Sequence, residues 1–359
     1  MKTQKTWANE FARSFKDLKS LYQFLGWELD AELLKVTQTY PLFIPYRLAE
    51  KIKNHGPQSA LAKEFLPGHD ELNEELNLWG MDDPIGDKRF HKAPQIIHRY
   101  NSRVLFTPTT VCPVHCRYCF RKNELNHKDE LFEAEFESTL NYLAQNKNIS
   151  EIIFTGGDPF TLSNEKLEKY LAAFASIPSI KDIRFHSRYP VIFPERFDAE
   201  LKVVLHQYAK QFRTLSIAIH ANHTDEFDQE ALDCIKELQK LPIQLLSQTV
   251  LLKGINDSFY DLLKLFELFI DLKIRPYYLH HPDRVKGGMH FYLPLSQGRR
   301  IYSSLRKFLP GWAIPHYVID LPGGDGKISA FNPESEDYSG QFLTLDGQAL
   351  ELQEPEISN

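Results

Sequence analysis

From residue 103 onward the chain repeats one pattern: a short apolar run, an amphipathic stretch, then another run. The runs Arg103–Pro108, Glu151–Thr155, Asp182–His186, Leu215–His220, Gln244–Leu252 and Arg275–Leu279 have the length and composition of strands. Between them lie LFEAEFESTLNYLAQN, SNEKLEKYLAAFAS, TDEFDQEALDCIKELQK and NDSFYDLLKLFELFIDL, whose apolar residues recur at helical spacing. Ser163 and Asp257 are expected to cap two of these helices. Strands that alternate with helices cannot pair as hairpins, so the pattern predicts parallel βαβ units. Six such units predict an α/β fold, a partial or open (β/α) barrel. Ahead of it, FKDLKSLYQFLGWEL reads as helical, and the turn-rich stretch from Gly80 to Asp87 reads as a boundary.

Polar residues of chemical interest fall at one phase of this repeat. Cysteines follow the first run and Gly156, Gly157 and Asp158 the second. His186, Ser187 and Arg188 close the third, His220 the fourth, and Asp283 follows the sixth. In (β/α) barrels the C-terminal strand ends form the active face. One mouth lined by one set of groups is therefore expected.

The cysteines are the most specific of these groups. Cys112, Cys116 and Cys119 stand in the spacing C-x3-C-x2-C. Thiolates select iron–sulfur clusters, zinc or copper(I). A structural zinc site needs four ligands, usually as two separated pairs, and no second C-x-x-C occurs; Cys234 stands alone in a helical stretch. Three thiolates from one loop suit a [4Fe–4S] cluster with one iron left open. A non-catalytic iron–sulfur or zinc-binding interaction module is the alternative from another class.

With Tyr118 just before the last cysteine, the loop resembles the signature of radical S-adenosylmethionine enzymes. Together with CRYCFRK, GGDP, HSR and PGGDGK in that order, residues 85 to 333 resemble the lysine 2,3-aminomutase family, including its elongation factor P branch. The resemblance implies a partial (β/α)6-type barrel over residues 91–290. An N-terminal helical region (1–90) and a C-terminal segment (291–359) flank it. It also implies a [4Fe–4S] cluster, S-adenosylmethionine and pyridoxal 5′-phosphate, the last carried by Lys327 as a Schiff base, with a one-electron donor such as flavodoxin or ferredoxin. As a phosphate loop the run before Lys327 fails, because Leu321 and Ile328 replace the required Gly and Ser/Thr. A Schiff base needs an unprotonated amine, so Lys327 is expected in a desolvated pocket with a lowered pKa.

By the same resemblance Arg99 and Arg103 hold the cofactor phosphate, and Arg121 holds the substrate carboxylate. Asp283 and Asp320 hold a lysine ε-ammonium. Gly156, Gly157, Asp158, Ser187, Arg188, His220 and Gln248 surround S-adenosylmethionine. The implied reaction moves the α-amino group of L-lysine to the β-carbon through a 5′-deoxyadenosyl radical. The compact length resembles the elongation factor P branch, whose substrate is a protein-bound lysine, whereas the intact D-x-P-G-G-x-G-K element favours free lysine. Where longer relatives carry a subunit-joining zinc cysteine this chain has Ser258, so zinc is not expected and homo-oligomerisation stays open.

Composition narrows the setting. A net charge of −6 gives no attraction toward nucleic acid, and no apolar run approaches bilayer length. The N-terminal MKTQKTWANEFARSF lacks a secretory apolar core, and cysteines in one motif form no disulfide framework. A reducing cytoplasm is the expected location.

Overall fold

The computed structural model describes residues 7–124, 136–331, 341–343 and 348–354. Ten strands form one sheet in chain order: β1 (His91–Ala93), β2 (Ile96–Tyr100), β3 (Arg103–Thr109), β4 (Glu151–Gly156), β5 (Asp182–Ser187), β6 (Thr214–His220), β7 (Gln244–Val250), β8 (Arg275–His280), β9 (His316–Asp320) and β10 (Lys327–Ser329). Every pairing from β3 to β9 is parallel, while β1, β2 and β10 add antiparallel edges. The fold is a mixed α/β partial barrel. A short hairpin, β11 (Gln341–Leu343) with β12 (Ala349–Glu351), stands apart.

The six expected strands appear within two residues of their predicted ends, and the parallel run is one strand longer than six because β9 joins it. Strand β6 is buried along five consecutive residues, Leu215 to Ile219, since helices cover one face and the barrel interior the other. The helices Asn164–Ala175, Ala199–Ala209 and Gln229–Leu238 begin at Ser163, Asp198 and Asp228, each accepting a backbone N–H. At Phe259–Asp271 the cap is Ser258 rather than Asp257: its hydroxyl accepts from the Asp261 amide. Of the stretch expected to be helical before β4, Phe136–Gln145 is helix, and residues 131–135 lie outside the described residues.

Between barrel and outer helices, Phe154, Tyr170 and Phe174 pack edge to face on Phe106, and Phe136 packs edge to face on Tyr170. A second core lies in the N-terminal region, where Leu18, Leu21, Leu48, Ile52, Leu61 and Phe65 enclose Val114 of the cysteine loop. That contact ties the loop to the N-terminal helices. The stretch expected to be a boundary is packed as well, because Gly86 lies against Gly323 and Gly324. No helix among the described residues is long and apolar enough to cross a membrane.

Candidate active site

Most of the polar residues singled out in the sequence stand at or just after the C-terminal ends of the parallel strands, as their phase predicts, while Arg103 begins β3. One cavity is lined by Cys112, Cys116, Cys119, Arg121, Gly156, Gly157, Asp158, Ser187, Arg188, His220, Gln248, Asp283, Asp320 and Lys327, with Arg99 and Arg103 at its far side. The antiparallel return of β10 sets Lys327 directly opposite Asp320 of β9. All sixteen residues singled out in the sequence therefore face one chamber.

At one end stands the cysteine loop. Its backbone is pinned from outside: the His115 amide donates to the Phe43 carbonyl (3.0 Å) and the Arg117 amide to the Glu64 carbonyl (3.0 Å). Buried Glu71 accepts from both Arg117 and Lys122, and Lys122 also donates to the Gly287 carbonyl at 2.6 Å. The three thiols are free of disulfides. Burial pushes Cys112 well up, Cys116 up to about 12 and Cys119 up as well. Thiols so costly to ionise alone become thiolates when a bound cation supplies compensating charge. Among the described residues no three His, Cys, Asp or Glu side chains converge on a single ion. A four-iron cluster has a different requirement, one thiolate per iron, spread around its corners.

Beside the loop, Gly156 (φ +100°) and Gly157 bring β4 against the strand that leads into it. A Cβ on Gly157 would stand 2.3 Å from the Val111 carbonyl oxygen. Asp158 accepts from the Ser187 hydroxyl (2.9 Å), the Arg188 amide (2.7 Å) and the Phe160 amide (3.1 Å), and burial pushes it up to about 7. These bonds clamp the end of β5 to the turn after β4. Arg188, on the chamber wall, is engaged by Glu226 (2.9 Å), Glu64 (2.5 Å) and the Tyr118 hydroxyl. The Tyr118 hydroxyl also meets His220 Nε2 at 3.0 Å. Burial pushes His220 well below its usual pKa and raises Glu64 to about 8. Gln248 Oε1, His186 Nε2 and Arg121 Nε are buried without a hydrogen-bond partner. Orphaned polar atoms lining a cavity await a ligand.

The far end carries the amine. Three glycines in left-handed conformation, Gly323, Gly324 and Gly326, turn the chain between β9 and β10, and the Tyr100 hydroxyl accepts from the Lys327 amide at 2.9 Å. Lys327, expected in a desolvated pocket, is partly buried in the cavity wall. Its ammonium is paired with Asp320, its cross-strand neighbour, and lies 3.3 Å from His280 Nδ1. Burial would raise Asp320, but the Lys327 ammonium outweighs it and holds this carboxyl below the usual range. Asp283, facing Asp320, is pushed up to about 8 by burial and by that neighbouring charge.

Arg103 stacks on the Tyr100 ring, its guanidinium carbon 3.8 Å from the centroid, and lines the cavity. Arg99 is already engaged: it donates to Asp87 (2.7 Å) and the Ile85 carbonyl (2.8 Å) and lies 3.8 Å from Asp320. A phosphate there would meet a guanidinium already shared by acids, which is the physical difference from the expectation. The sequence reading gave no role to Asp87, Arg184, His186, Tyr278 and His280, all lining the same cavity, although His186 stands in the strand-end HSR element it noted. The alternation within β5 and β8 carries a signal for four of them: Arg184 and His186 are two apart, as are Tyr278 and His280, and so share a face.

Residues 106–266 match the model of the Radical SAM superfamily. An L-lysine 2,3-aminomutase of Methanococcus maripaludis is 35% identical over 326 residues, 89% of this chain and 74% of its own length. That of Clostridium subterminale is 31% identical over 79% of this chain and 67% of its own. A protein of Aquifex aeolicus is 33% identical over 96% of this chain and 93% of its own.

Proposed function

Since the chain belongs to the lysine 2,3-aminomutase family of radical SAM enzymes, we propose that it is an isomerase that moves the α-amino group of free L-lysine to the β-carbon. It would do so with a [4Fe–4S] cluster, S-adenosylmethionine and pyridoxal phosphate. Together these groups supply one-electron chemistry at carbon and a conjugated carrier for a migrating nitrogen. Cys112, Cys116 and Cys119 would hold three irons, leaving the fourth toward the chamber. Gly156 and Gly157 let the backbone close on that corner, and His220 and Gln248 line it with polar atoms. Arg103, stacked on Tyr100, would take the phosphate in bidentate fashion. Lys327 would carry the vitamin, its backbone fixed by Tyr100. Arg121 would hold the substrate carboxylate through its unpartnered Nε. One chamber lined by all these groups would set them at fixed distances from one another.

One observation carries the choice of lysine. Asp320 already holds a lysine ammonium, that of Lys327, with Asp283 close enough to feel its charge. When Lys327 carries a cofactor its ammonium leaves Asp320, and the pair is open to a second primary ammonium on a stem of the same length. Two carboxylates in one pocket repel until a cation stands between them, so the substrate's charged end belongs there.

The test is turnover. Protein reconstituted without oxygen, given all three cofactors, dithionite and lysine carrying ¹⁵N on its α-amino group, should yield β-lysine with the label on carbon 3. Lys327→Ala should abolish it while leaving the iron content unchanged. Turnover that survives this substitution would refute the reading.

A further inference from the structure

A line of alternating charge crosses the chamber. It runs from Lys327 to Asp320, Arg99, Asp87 and Arg121 and ends at Glu124. Asp87 is its central link and is only 3% exposed. One oxygen accepts from Arg99 at 2.7 Å and the other from Arg121 at 2.6 Å, so a single carboxylate bridges two guanidinium groups. Its own position is fixed by backbone. The Asp83 carboxylate accepts the Asp87 and Lys88 amides at 3.0 and 3.1 Å. Gly86, at φ +67°, packs so closely on the turn before Lys327 that a Cβ there would meet the Gly324 nitrogen at 2.5 Å. Arg89 ties the same segment to Asp325 at 2.9 Å.

We propose that Asp87 is a positioning residue: it aims the Arg121 guanidinium so that Nε, the one nitrogen left without a partner, faces the carboxylate of the bound amino acid. This rests on the proposed function above. Asp87 takes one terminal nitrogen of Arg121 and Glu124, at 3.3 Å, takes the other. A planar fork held at both tips cannot rotate, and its remaining N–H keeps one direction. Asp87 hangs from a segment braced on the turn that carries Lys327. The carboxylate end of the substrate is therefore registered against the amine that carries the cofactor. Fixed separation between two anchors on one small substrate is what near-attack geometry requires.

The experiment compares two ligands on the anaerobically reconstituted holoenzyme by titration calorimetry. L-lysine carries the carboxylate that Arg121 would hold, and 1,5-diaminopentane has the same amines without it. Asp87→Asn should weaken lysine by about tenfold or more and change the diamine by less than about threefold, with iron and pyridoxal phosphate contents as in the wild type. Equal losses for both ligands would mean a general structural role, and an unchanged ratio would mean none; either overturns the proposal. Asp87→Glu keeps the charge but moves the carboxylate, and serves if the amide variant does not retain iron. Positioning predicts a loss of selectivity for lysine over the diamine, and a wild-type ratio refutes it. If the wild type binds neither ligand, the proposed function falls, which is a separate result.

Discussion

Replacing Gly157 by alanine should displace the backbone that leads into Cys112. The added Cβ would lie 2.3 Å from the Val111 carbonyl oxygen, 2.6 Å from the Thr110 carbonyl carbon and 2.7 Å from the Val111 nitrogen. Ordinary contact begins at 3.4 Å, so the worst overlap is about 1.1 Å, and all three atoms are backbone with no rotamer to escape into. Relief must come by moving residues 110 and 111. The Val111 carbonyl would then lose the hydrogen bond it accepts from the Asp158 amide at 2.9 Å. Overpacking of this kind costs about 1–3 kcal/mol, and a misplacement of about 1 Å at a reacting centre costs about 100-fold in rate. Gly68→Ala is the control, because nothing lies within 4 Å of its added Cβ. The assay combines a thermal melt, iron and sulfide analysis, and cleavage of S-adenosylmethionine. Gly157→Ala should melt lower, bind less iron and cleave the cofactor at least tenfold more slowly, with Gly68→Ala unchanged. Full iron content and cleavage within about threefold of the wild type would refute the claim that the close approach of β4 sets the cysteine loop.

Other outcomes follow from the same geometry. Asp283 has its pKa raised to about 8, so it is mostly protonated at pH 7, and a bound ε-ammonium favours its ionised form. Lysine affinity should therefore weaken as pH falls from about 8 toward 6, and Asp283→Asn should flatten that slope in a titration series. Glu71→Ala leaves Arg117 and Lys122 buried without their shared carboxylate. Denaturant unfolding of the apoprotein should show a loss of about 3–5 kcal/mol, and wild-type stability would contradict the pinning of the loop. Arg121→Lys keeps the charge but loses the fork, so the KM for lysine should rise while cleavage of S-adenosylmethionine in the presence of lysine persists.

What could be read from the sequence was local. The six strands, the cysteine loop, the Ser163 cap and the strand-end phase all rest on patterns within about ten residues, and each stands where expected. The misreadings involve choices that only the folded chain makes. Asn256, Asp257 and Ser258 can each cap a helix, and the backbone selected Ser258. Asp87 sits in a turn-rich stretch that resembles a linker. Its partners Arg99 and Arg121 lie 12 and 34 residues away, and no periodicity records that pairing. Strand β10 is three residues, Lys-Ile-Ser, and exists because it pairs back on β9. That same register sets Lys327 against Asp320, a pairing that the sequence reading did not draw.

The central claim is that Lys327 carries the vitamin in the chamber onto which the three cysteines open. Borohydride reduction of protein reconstituted with iron, sulfide and pyridoxal phosphate, followed by peptide mass spectrometry, tests it most directly. The account predicts a phosphopyridoxyl group on Lys327 in protein holding about four irons per chain, with the visible band lost on reduction. A label on any other lysine, or no label in iron-replete protein, would contradict it.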